Sequence, residues 1–308
     1  MNQHIRTIAI LGAGAVGSYL VMGLSDKYKE NLWVIADGER KDRLAKNGLN
    51  INDKVYSLHI KTPAEAHGVD LLFVCTKYTQ LRDSLPDIET ITDKHTMVVS
   101  LLNGVDSEEL IGQRIGMEHM IYSLIRIASH RIGNSIHFSL PKGYNGIYIG
   151  IPNQPACQDP RLAAIAEIFA DTPVTLHLSD DILLDMWDKF GLNVSRNLPQ
   201  AILGVGIGVY DDSIYADAIM RKMRHEVVLV ANAKGIPLTD EFKAAKWLPS
   251  QRYSTLQDLD AHRHTEIDMF SGALIRMGKE VGVECPYNEM TYNLIKALEE
   301  KNDGKFDY

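Results

Sequence analysis

The sequence predicts an α/β protein of two domains, with a doubly wound parallel sheet in residues 1–178 and an all-helical domain in residues 179–308. In the first half, short apolar runs rich in β-branched residues alternate with helix-like segments. Beyond residue 178 the apolar spacing is helical almost to the end, with breaks at glycine and proline. A length of 308 residues also fits two domains, at about 150 residues per domain.

The first strands follow from their apolar runs. These runs occupy residues 6–11, 32–36, 70–76 and 97–102. The last two are continuous apolar stretches of the kind that parallel sheets bury on both faces. Helices are expected over residues 15–25 and 39–46. Between them, two short runs flank Asn52-Asp53, and they predict a hairpin with strands at 49–51 and 55–58 that is inserted into the alternating pattern.

From residue 120 the pattern changes to short strands without long helices between them. These strands are predicted over residues 121–127, 135–140 and 146–151. We expect them to extend the sheet or to cap it with antiparallel strands. A helix over 161–170 and a strand over 174–178 follow, and Ser179 can cap the next helix. The domain boundary is therefore placed near residue 178.

Charge and cysteine content restrict the classes of partner and compartment. The chain has 32 Lys and Arg against 40 Asp and Glu, a formal net charge of −8, which argues against nucleic acid or an anionic membrane surface as the main partner. Cys75, Cys157 and Cys285 are far apart and odd in number, so no disulfide framework or zinc cluster is indicated, and a cytoplasmic location is expected. Cys75 ends an apolar strand and fits a core position. His262 and His264 do not share a helical face, so no metal site is expected.

One uncharged segment has the length of a membrane span. Residues 7–24 contain no charged side chain, and 18 residues is the lower limit for a transmembrane helix. The segment holds four glycines, and charged residues follow it directly. We therefore expect no membrane insertion.

A glycine-rich motif follows the first predicted strand. Gly12-Ala-Gly14-Ala-Val-Gly17 is GxGxxG placed between a strand and a helix, which is the context that a dinucleotide-binding loop requires. The first glycine allows a tight turn, the second lets a pyrophosphate approach the backbone, and the third lets the helix pack on the strand. The alternative is a glycine-rich turn without a ligand. The expected cofactor-binding residues of this Rossmann-like domain are Gly12, Ala13, Gly14, Ala15, Val16 and Gly17.

Asp37 stands 20 residues after Gly17, at the end of the second predicted strand. A carboxylate there can accept hydrogen bonds from the ribose hydroxyls of NAD and would repel the 2′-phosphate of NADP. Arg40, Lys41 and Arg43 follow closely and could instead form a phosphate site. Asp37 could also simply begin a turn with Gly38. The sequence leaves NAD and NADP open, and the carboxylate favours NAD.

Polar residues recur along one predicted helix of the second domain. Lys189, Asn193 and Asn197 lie four residues apart and would share one face, between apolar neighbours. A second predicted helix carries Ser254 and then Arg263-His-Thr-Glu-Ile-Asp268, with Glu266 a little over three turns beyond Ser254. A positioned ammonium can stabilise the negative charge that forms on a ketone oxygen during reduction and then donate a proton.

Together these features resemble the ketopantoate reductase (2-dehydropantoate 2-reductase) family over nearly the whole chain. The resemblance is carried by the glycine motif, by Lys77 after a strand, by Leu102-Asn103-Gly104, and by the two polar segments of the second domain. It implies a Rossmann domain and a helical domain with the site in the cleft between them. It also implies NAD(P)H-dependent reduction of ketopantoate to pantoate in pantothenate biosynthesis, with NADP as the usual cofactor.

The resemblance also implies roles for individual residues. Lys189 would donate a proton to the ketone oxygen, and Glu266 would hold the substrate. Asn193, Asn197 and Ser254 match positions that hydrogen-bond ketopantoate. The alternatives are an ordinary surface lysine for Lys189 and a surface salt bridge for Glu266.

Further roles concern the first domain, where Lys77 and Asn103 match positions between cofactor and substrate. The chain departs from the family pattern at Asp37, where members commonly carry arginine, and at the glycine-rich residues 203–208. Cofactor preference and the exact 2-oxo acid therefore stay open. A reductase of another branched 2-oxo acid, a non-catalytic dinucleotide sensor, and a homodimeric assembly also stay open.

Overall fold

The structure is a computed structural model that describes residues 4–138, 145–242, 248–306 and 308. It contains two compact units, Met1–Leu183 and Leu184–Tyr308. The domain boundary predicted near residue 178 lies shortly before this division. No helix in the described ranges combines the length and the apolar character needed to cross a membrane.

The first unit contains a large, mostly parallel sheet. The strands of this unit, which form two sheets, are β1 (Ile8–Leu11), β2 (Leu32–Ile35), β3 (Leu49–Ile51), β4 (Lys54–Tyr56), β5 (His59–Lys61), β6 (Leu71–Val74), β7 (Met97–Ser100), β8 (Met120–Arg126), β9 (Ser129–Ile132), β10 (Ser135–Phe138), β11 (Gly146–Gly150) and β12 (Leu176–Leu178). The large sheet has the order β12-β11-β8-β7-β6-β1-β2-β5. In this sheet order, the neighbouring strands β8, β7, β6, β1, β2 and β5 are parallel to one another, and β11 runs antiparallel to β8. The order reverses at β1, as in doubly wound dinucleotide-binding sheets.

Helices cover both faces of this sheet. They are α1 (Ala15–Tyr28), α2 (Gly38–Asn47), α3 (Tyr78–Ile91), α4 (Ser107–Ile115) and α5 (Pro160–Phe169). Alternate strand residues point to opposite faces. Ile8 and Ile10 of β1 therefore belong to the apolar cluster with α1 and α5, and Ala9 and Leu11 belong to the cluster with α3 and α4. Because these strands are buried on both faces, their sequences are continuous apolar runs.

A smaller sheet in the first unit has the order β4-β3-β10-β9. The predicted hairpin is present as β3 and β4, and Asn52 and Asp53 at its turn have φ of 48° and 63°, as a tight two-residue hairpin turn requires. The prediction that the strands after residue 120 extend the main sheet or cap it with antiparallel strands is wrong for β10. This strand instead pairs in parallel with β3, the first strand of the hairpin, and antiparallel with β9. Residues 139 and 140 of that predicted strand lie outside the described residues.

The second unit is helical. Its elements are α6 (Ile182–Leu192), within which the division between units falls, a π-helical turn (Asn193–Asn197), α7 (Leu198–Leu203), α8 (Val209–Asp212), α9 (Ile214–Ala233), α10 (Ser254–Asp260), α11 (Ser271–Val281) and α12 (Pro286–Asn302). Buried acidic side chains connect them. Glu226 of α9 accepts hydrogen bonds from the backbone N–H groups of Tyr287 (2.8 Å) and Asn288 (3.0 Å), and so satisfies free donors at the start of α12.

Candidate active-site residues

The GxGxxG loop has the geometry of a dinucleotide loop. Gly12 has φ of +108°, and a Cβ there would lie 2.6 Å from the carbonyl carbon and oxygen of Cys75. A Cβ at Gly17 would lie 2.0 Å from the carbonyl oxygen of Gly12, so helix and loop are in direct contact. A Cβ at Gly14 would meet no atom of the described part of the chain within 4 Å. The first and third glycines are therefore required for packing, and the second leaves open space beside the backbone.

The start of α1 fits an anionic group. Gly14 is the N-cap residue and provides no side-chain cap, and the first turn, from Ala15, carries no acidic residue. Backbone N–H groups at a helix start lack partners within the helix and carry partial positive charge. Ala13, Ala15 and Val16 are partly exposed, so their backbone can be reached from outside. The loop thus fits the pyrophosphate of a dinucleotide.

Beside the loop lies a cavity of about 260 Å³ at the carboxyl ends of β1, β2 and β6. Its lining residues are Leu11, Ile35, Ala36, Asp37, Arg40, Pro63, Thr76, Gln80, Asp83, Ser84 and Asp87. Asp37 occupies the N-cap position of α2, but its side chain makes no capping hydrogen bond. The carboxylate therefore borders the cavity rather than closing the turn.

The basic residues after Asp37 are not equivalent. Arg40 lines the cavity, whereas the Lys41 ammonium forms an ion pair of 3.1 Å with Glu65. Arg40, Lys41 and Arg43 were expected to offer a possible phosphate site. Of these three, the structure places Arg40 among the residues that line the cavity.

Two carboxylates of the cavity were not predicted from the sequence. Asp83 and Asp87 lie four residues apart on α3 and line its wall. Burial raises the pKa of the Asp87 carboxyl, and the negative charge of Asp37 raises it further. The i, i+4 spacing on a helix that follows a buried strand was visible in the sequence, but it resembles an ordinary solvated helix face.

Lys77 and Asn103 follow neighbouring parallel strands. Lys77 is the exposed N-cap residue of α3, after β6, and the partly buried Asn103 follows β7. The hydroxyl of Tyr78 donates a 2.6 Å hydrogen bond to Asp106, which connects the two segments. Both predicted residues therefore lie at the carboxyl edge of the sheet, as does the glycine loop.

The start of α4, a few residues after Asn103 in the sequence, carries a buried polar cluster. The hydroxyl of Ser107 lies 2.8 Å from the hydroxyl of Ser100 and donates a 2.9 Å hydrogen bond to Glu108. Burial raises the pKa of Glu108 to about 8. The carboxyl is therefore mostly neutral at pH 7, which suits an apolar interior.

In the second unit the Lys189/Asn193/Asn197 series is not one regular α-helix. Lys189 lies on α6, and the two asparagines are the first and last residues of the π-helical turn. Asn197 nevertheless donates a 3.3 Å hydrogen bond from Nδ2 to Oδ1 of Asn193. Asn197 is 4% exposed, and its Oδ1 has no hydrogen-bond partner among the described residues. A buried amide oxygen without a partner and a π-turn are both features that functional sites favour.

The position of Lys189 is supported by a buried ion pair. Asp188, its neighbour on α6, accepts a 3.2 Å hydrogen bond from Arg224 of α9, whose side chain is 1% exposed. Arg224 also donates to the carbonyl oxygens of Thr239 (2.9 Å) and Asp188 (3.3 Å). These contacts hold α6 and α9 in a defined register.

The prediction that Ser254 and Glu266 share one helix is wrong. Ser254 begins α10, which ends at Asp260, and His262 has φ of +50°. Arg263 N–H donates to the carbonyl oxygen of Asp258 (2.9 Å) and His262 N–H to that of Leu259 (3.1 Å), the bond pattern of a Schellman C-cap. The chain therefore leaves the helix axis before Glu266.

The segment with Glu266 is fixed by α12 instead. Thr265 donates from its N–H and from its hydroxyl to Glu299, both at 2.7 Å. Asp268 accepts from the Tyr292 hydroxyl (2.7 Å) and from Lys296 (2.8 Å). The partly buried Glu266 lies between these two anchored positions.

Comparison with known proteins identifies the family. The model for ketopantoate reductase PanE/ApbA matches residues 8–154, and the model for the C-terminal region of the same family matches residues 181–299. A 2-dehydropantoate 2-reductase of Streptococcus pyogenes serotype M3 is 27% identical over 308 residues, covering 95% of this chain and 97% of the relative. A 2-dehydropantoate 2-reductase of Pyrococcus horikoshii is 28% identical and covers 96% and 99%.

A solved structure of D-mandelate dehydrogenase with NADH and anilino(oxo)acetate is also similar. It has a TM-score of 0.82 and 26% sequence identity, with coverage of 96% of this chain and 99% of that chain. The glycine loop and the sheet order are those of a dinucleotide-binding domain, and both family models match the chain. The chain therefore belongs to the ketopantoate reductase family of NAD(P)-dependent oxidoreductases that act on 2-oxo acids.

Proposed function

We propose that this chain reduces ketopantoate to pantoate with NAD(P)H, a step of pantothenate biosynthesis. The observation that carries the proposal is the amide series at the π-turn. Asn197 keeps a buried Oδ1 without a partner among the described residues, next to Asn193 and beyond Lys189 on α6. A buried polar atom without a partner destabilises the protein by about 1–3 kcal/mol unless a ligand satisfies it.

The residues of the first unit would hold the cofactor. Backbone N–H groups of Gly12–Gly17 would bind the pyrophosphate, and Asp37 would accept hydrogen bonds from the adenosine ribose. Lys77 and Asn103, at the same edge of the sheet, would orient the nicotinamide end. When bound, the reduced nicotinamide supplies a hydride to the 2-oxo carbon.

Lys189 would supply the proton. Negative charge develops on the ketone oxygen during reduction, so an ammonium stabilises the transition state and then donates its proton to form the hydroxyl group. Water would return a proton to Lys189 after product release. Glu266 would accept a hydrogen bond from a substrate hydroxyl, since its segment is anchored through Thr265 and Asp268.

Neutral donors would bind the carboxylate and the hydroxyl groups of the substrate. Asn193, Asn197 and Ser254 offer amide and hydroxyl groups without adding cations that would retain the anionic product. The Oδ1 of Asn197, which has no partner among the residues that the structure describes, requires a donor, and a hydroxyl group of ketopantoate is one.

A second candidate is the reduction of a 2-oxo acid with an aromatic substituent. The similarity to D-mandelate dehydrogenase at 26% identity favours it, as does the unusual glycine-rich segment 203–208. A third candidate is a dinucleotide sensor without turnover, which would have no use for Lys189 and the amide series.

The test is the decay of nicotinamide absorbance with NADH or NADPH, each with and without ketopantoate. A parallel series uses phenylglyoxylate, the 2-oxo form of mandelate. Decay that depends on ketopantoate supports the proposal. Decay with phenylglyoxylate alone would transfer the function to the second candidate. Cofactor binding without decay in either series would favour the sensor.

The expected partners and location stay predictions. A homodimer would be detected by light scattering during size-exclusion chromatography, as twice the mass of 34.5 kDa. A cytoplasmic location would be tested by fractionating cells that produce the tagged protein.

A further inference from the structure

The cavity beside the glycine loop has an acidic lining. Among the residues that the structure describes, its charged lining residues are Asp37, Arg40, Asp83 and Asp87, which is three carboxylates against one guanidinium. It lies at the carboxyl ends of β1, β2 and β6, where doubly wound sheets bind the adenosine part of a dinucleotide. An acidic lining is expected to select among adenosine ligands by their charge.

The carboxylates come from two different helices. Asp37 stands at the start of α2, and Asp83 and Asp87 lie one turn apart on α3. Asp87 is close enough to Asp37 for their charges to interact. The cavity therefore has negative charge on two walls. The wall with Asp37 follows β2, where the dinucleotide motif places the carboxylate that binds the ribose, whereas the wall with Asp83 and Asp87 on α3 is not part of that motif.

The two basic residues that follow Asp37 most closely offset this charge only in part. Lys41 is paired with Glu65 at 3.1 Å and does not line the cavity. Arg40 is exposed, and it is the one cation among the described residues that line the cavity. A phosphate at the ribose 2′ position, with a charge of about −1.5 to −2, would therefore meet a net negative surface.

We propose that Asp83 and Asp87, together with Asp37, form a carboxylate wall that selects NADH over NADPH by excluding the 2′-phosphate. The proposal rests on NAD(P) use by this family and on the glycine loop as the pyrophosphate site. It adds two specificity-determining residues on α3. It also implies that Asp37→Arg alone shifts the preference toward NADPH without reversing it, because the wall on α3 remains.

The proposal is tested by binding, without turnover. Isothermal titration calorimetry would measure the Kd of ADP-ribose and of 2′-phospho-ADP-ribose, which occupy the adenosine end without the nicotinamide. We expect the wild-type chain to prefer ADP-ribose. Asp83→Asn/Asp87→Asn should lower this preference about tenfold, since two carboxylates near a phosphate are removed in a solvent-screened site. The preference of the wild type should also fall as salt concentration rises.

Two variants provide controls. Asp42→Asn removes the same charge from an exposed position of α2 that does not line the cavity, and it should leave the preference unchanged. Asp87→Glu keeps the charge and should keep the preference. Circular dichroism of each variant checks that the fold is intact.

Several results would overturn the proposal. One is tighter binding of 2′-phospho-ADP-ribose than of ADP-ribose by the wild-type chain. Others are an unchanged ratio of the two Kd values in Asp83→Asn/Asp87→Asn, and a change of that ratio in Asp42→Asn as large as in the double variant. Binding of neither compound would also overturn it. Failure to reduce ketopantoate would leave these dissociation constants unaffected, so the two proposals are tested separately.

Discussion

The buried pair of Arg224 and Asp188 allows a quantitative prediction about the helical unit. Arg224→Met removes a guanidinium that is 1% exposed and that donates to Asp188 and to the carbonyl oxygen of Thr239. Methionine fills part of the volume but leaves the Asp188 carboxylate, whose side chain is 12% exposed, without this partner. Breaking a buried pair on one side costs about 3–5 kcal/mol. We expect Arg224→Met to lower the free energy of unfolding by this amount.

The assay is urea denaturation, with the loss of helix monitored by far-ultraviolet circular dichroism. The matched control is Arg221→Met, one turn earlier on α9. Arg221 forms an exposed i, i+4 pair with Asp217 at 2.7 Å, and such pairs contribute about 0.3–0.5 kcal/mol. The double variant Arg224→Met/Asp188→Leu removes both charges and should be less destabilised than Arg224→Met alone.

The pair also has a functional consequence. Asp188 directly precedes Lys189, so loss of the pair should lower kcat even at temperatures where the variant stays folded. An effect of Arg224→Met no larger than that of Arg221→Met would refute the reasoning. The reasoning would also be refuted if the loss of unfolding free energy in Arg224→Met/Asp188→Leu equalled the sum of the losses in Arg224→Met and Asp188→Leu.

Four further predictions concern the proposed site and its support. Lys189→Ala should lower kcat by at least about a hundredfold with unchanged NADH affinity, and Lys189→Arg should not restore it, because arginine does not give up its proton; near-normal turnover of Lys189→Ala would contradict the proton-donor role. Asp37→Arg should shift kcat/KM toward NADPH, and an unchanged NADH/NADPH ratio would remove this carboxylate from cofactor selection. Gly17→Ala should weaken cofactor binding, measured by nicotinamide fluorescence, since the added Cβ would lie 2.0 Å from the Gly12 carbonyl oxygen; unaltered affinity would show that the loop tolerates displacement. Glu108→Gln should remove a pH dependence of stability: with a native pKa of about 8 against an ordinary 4.5, the folded state binds the proton more tightly, so wild-type stability falls by roughly 1 kcal/mol per pH unit between those values. Parallel denaturation curves of Glu108→Gln and wild type from pH 5 to pH 8 would contradict that assignment.

Local patterns were sufficient for most of the first unit. The strand and helix of the glycine motif were predictable because the apolar run, the GxGxxG pattern and the helical spacing after it are all local features of the sequence. The parallel strands were predictable because burial on both faces requires continuous apolar runs. Asp37 was found for the same reason, as it ends a recognisable strand.

Features that depend on distant partners were not predictable. The helix after Ser254 ends because His262 adopts a left-handed conformation, and Glu299, far along the chain, holds the segment that follows. Histidine is not a usual C-cap residue, so no local signal marks this end. The small sheet likewise depends on β10 meeting β3, which are separated by more than 80 residues.

The sequence by itself determined the alternation of strands and helices, the cofactor loop and the residue types of the polar series. These are consequences of backbone sterics and of hydrophobic periodicity, which act over a few residues. Only the tertiary structure decided that Asp83 and Asp87 share a cavity with Asp37, and that Asn197 Oδ1 is buried without a hydrogen-bond partner among the described residues. Charge and hydrogen bonding act between groups that folding brings together, so their partners cannot be read from spacing along the chain.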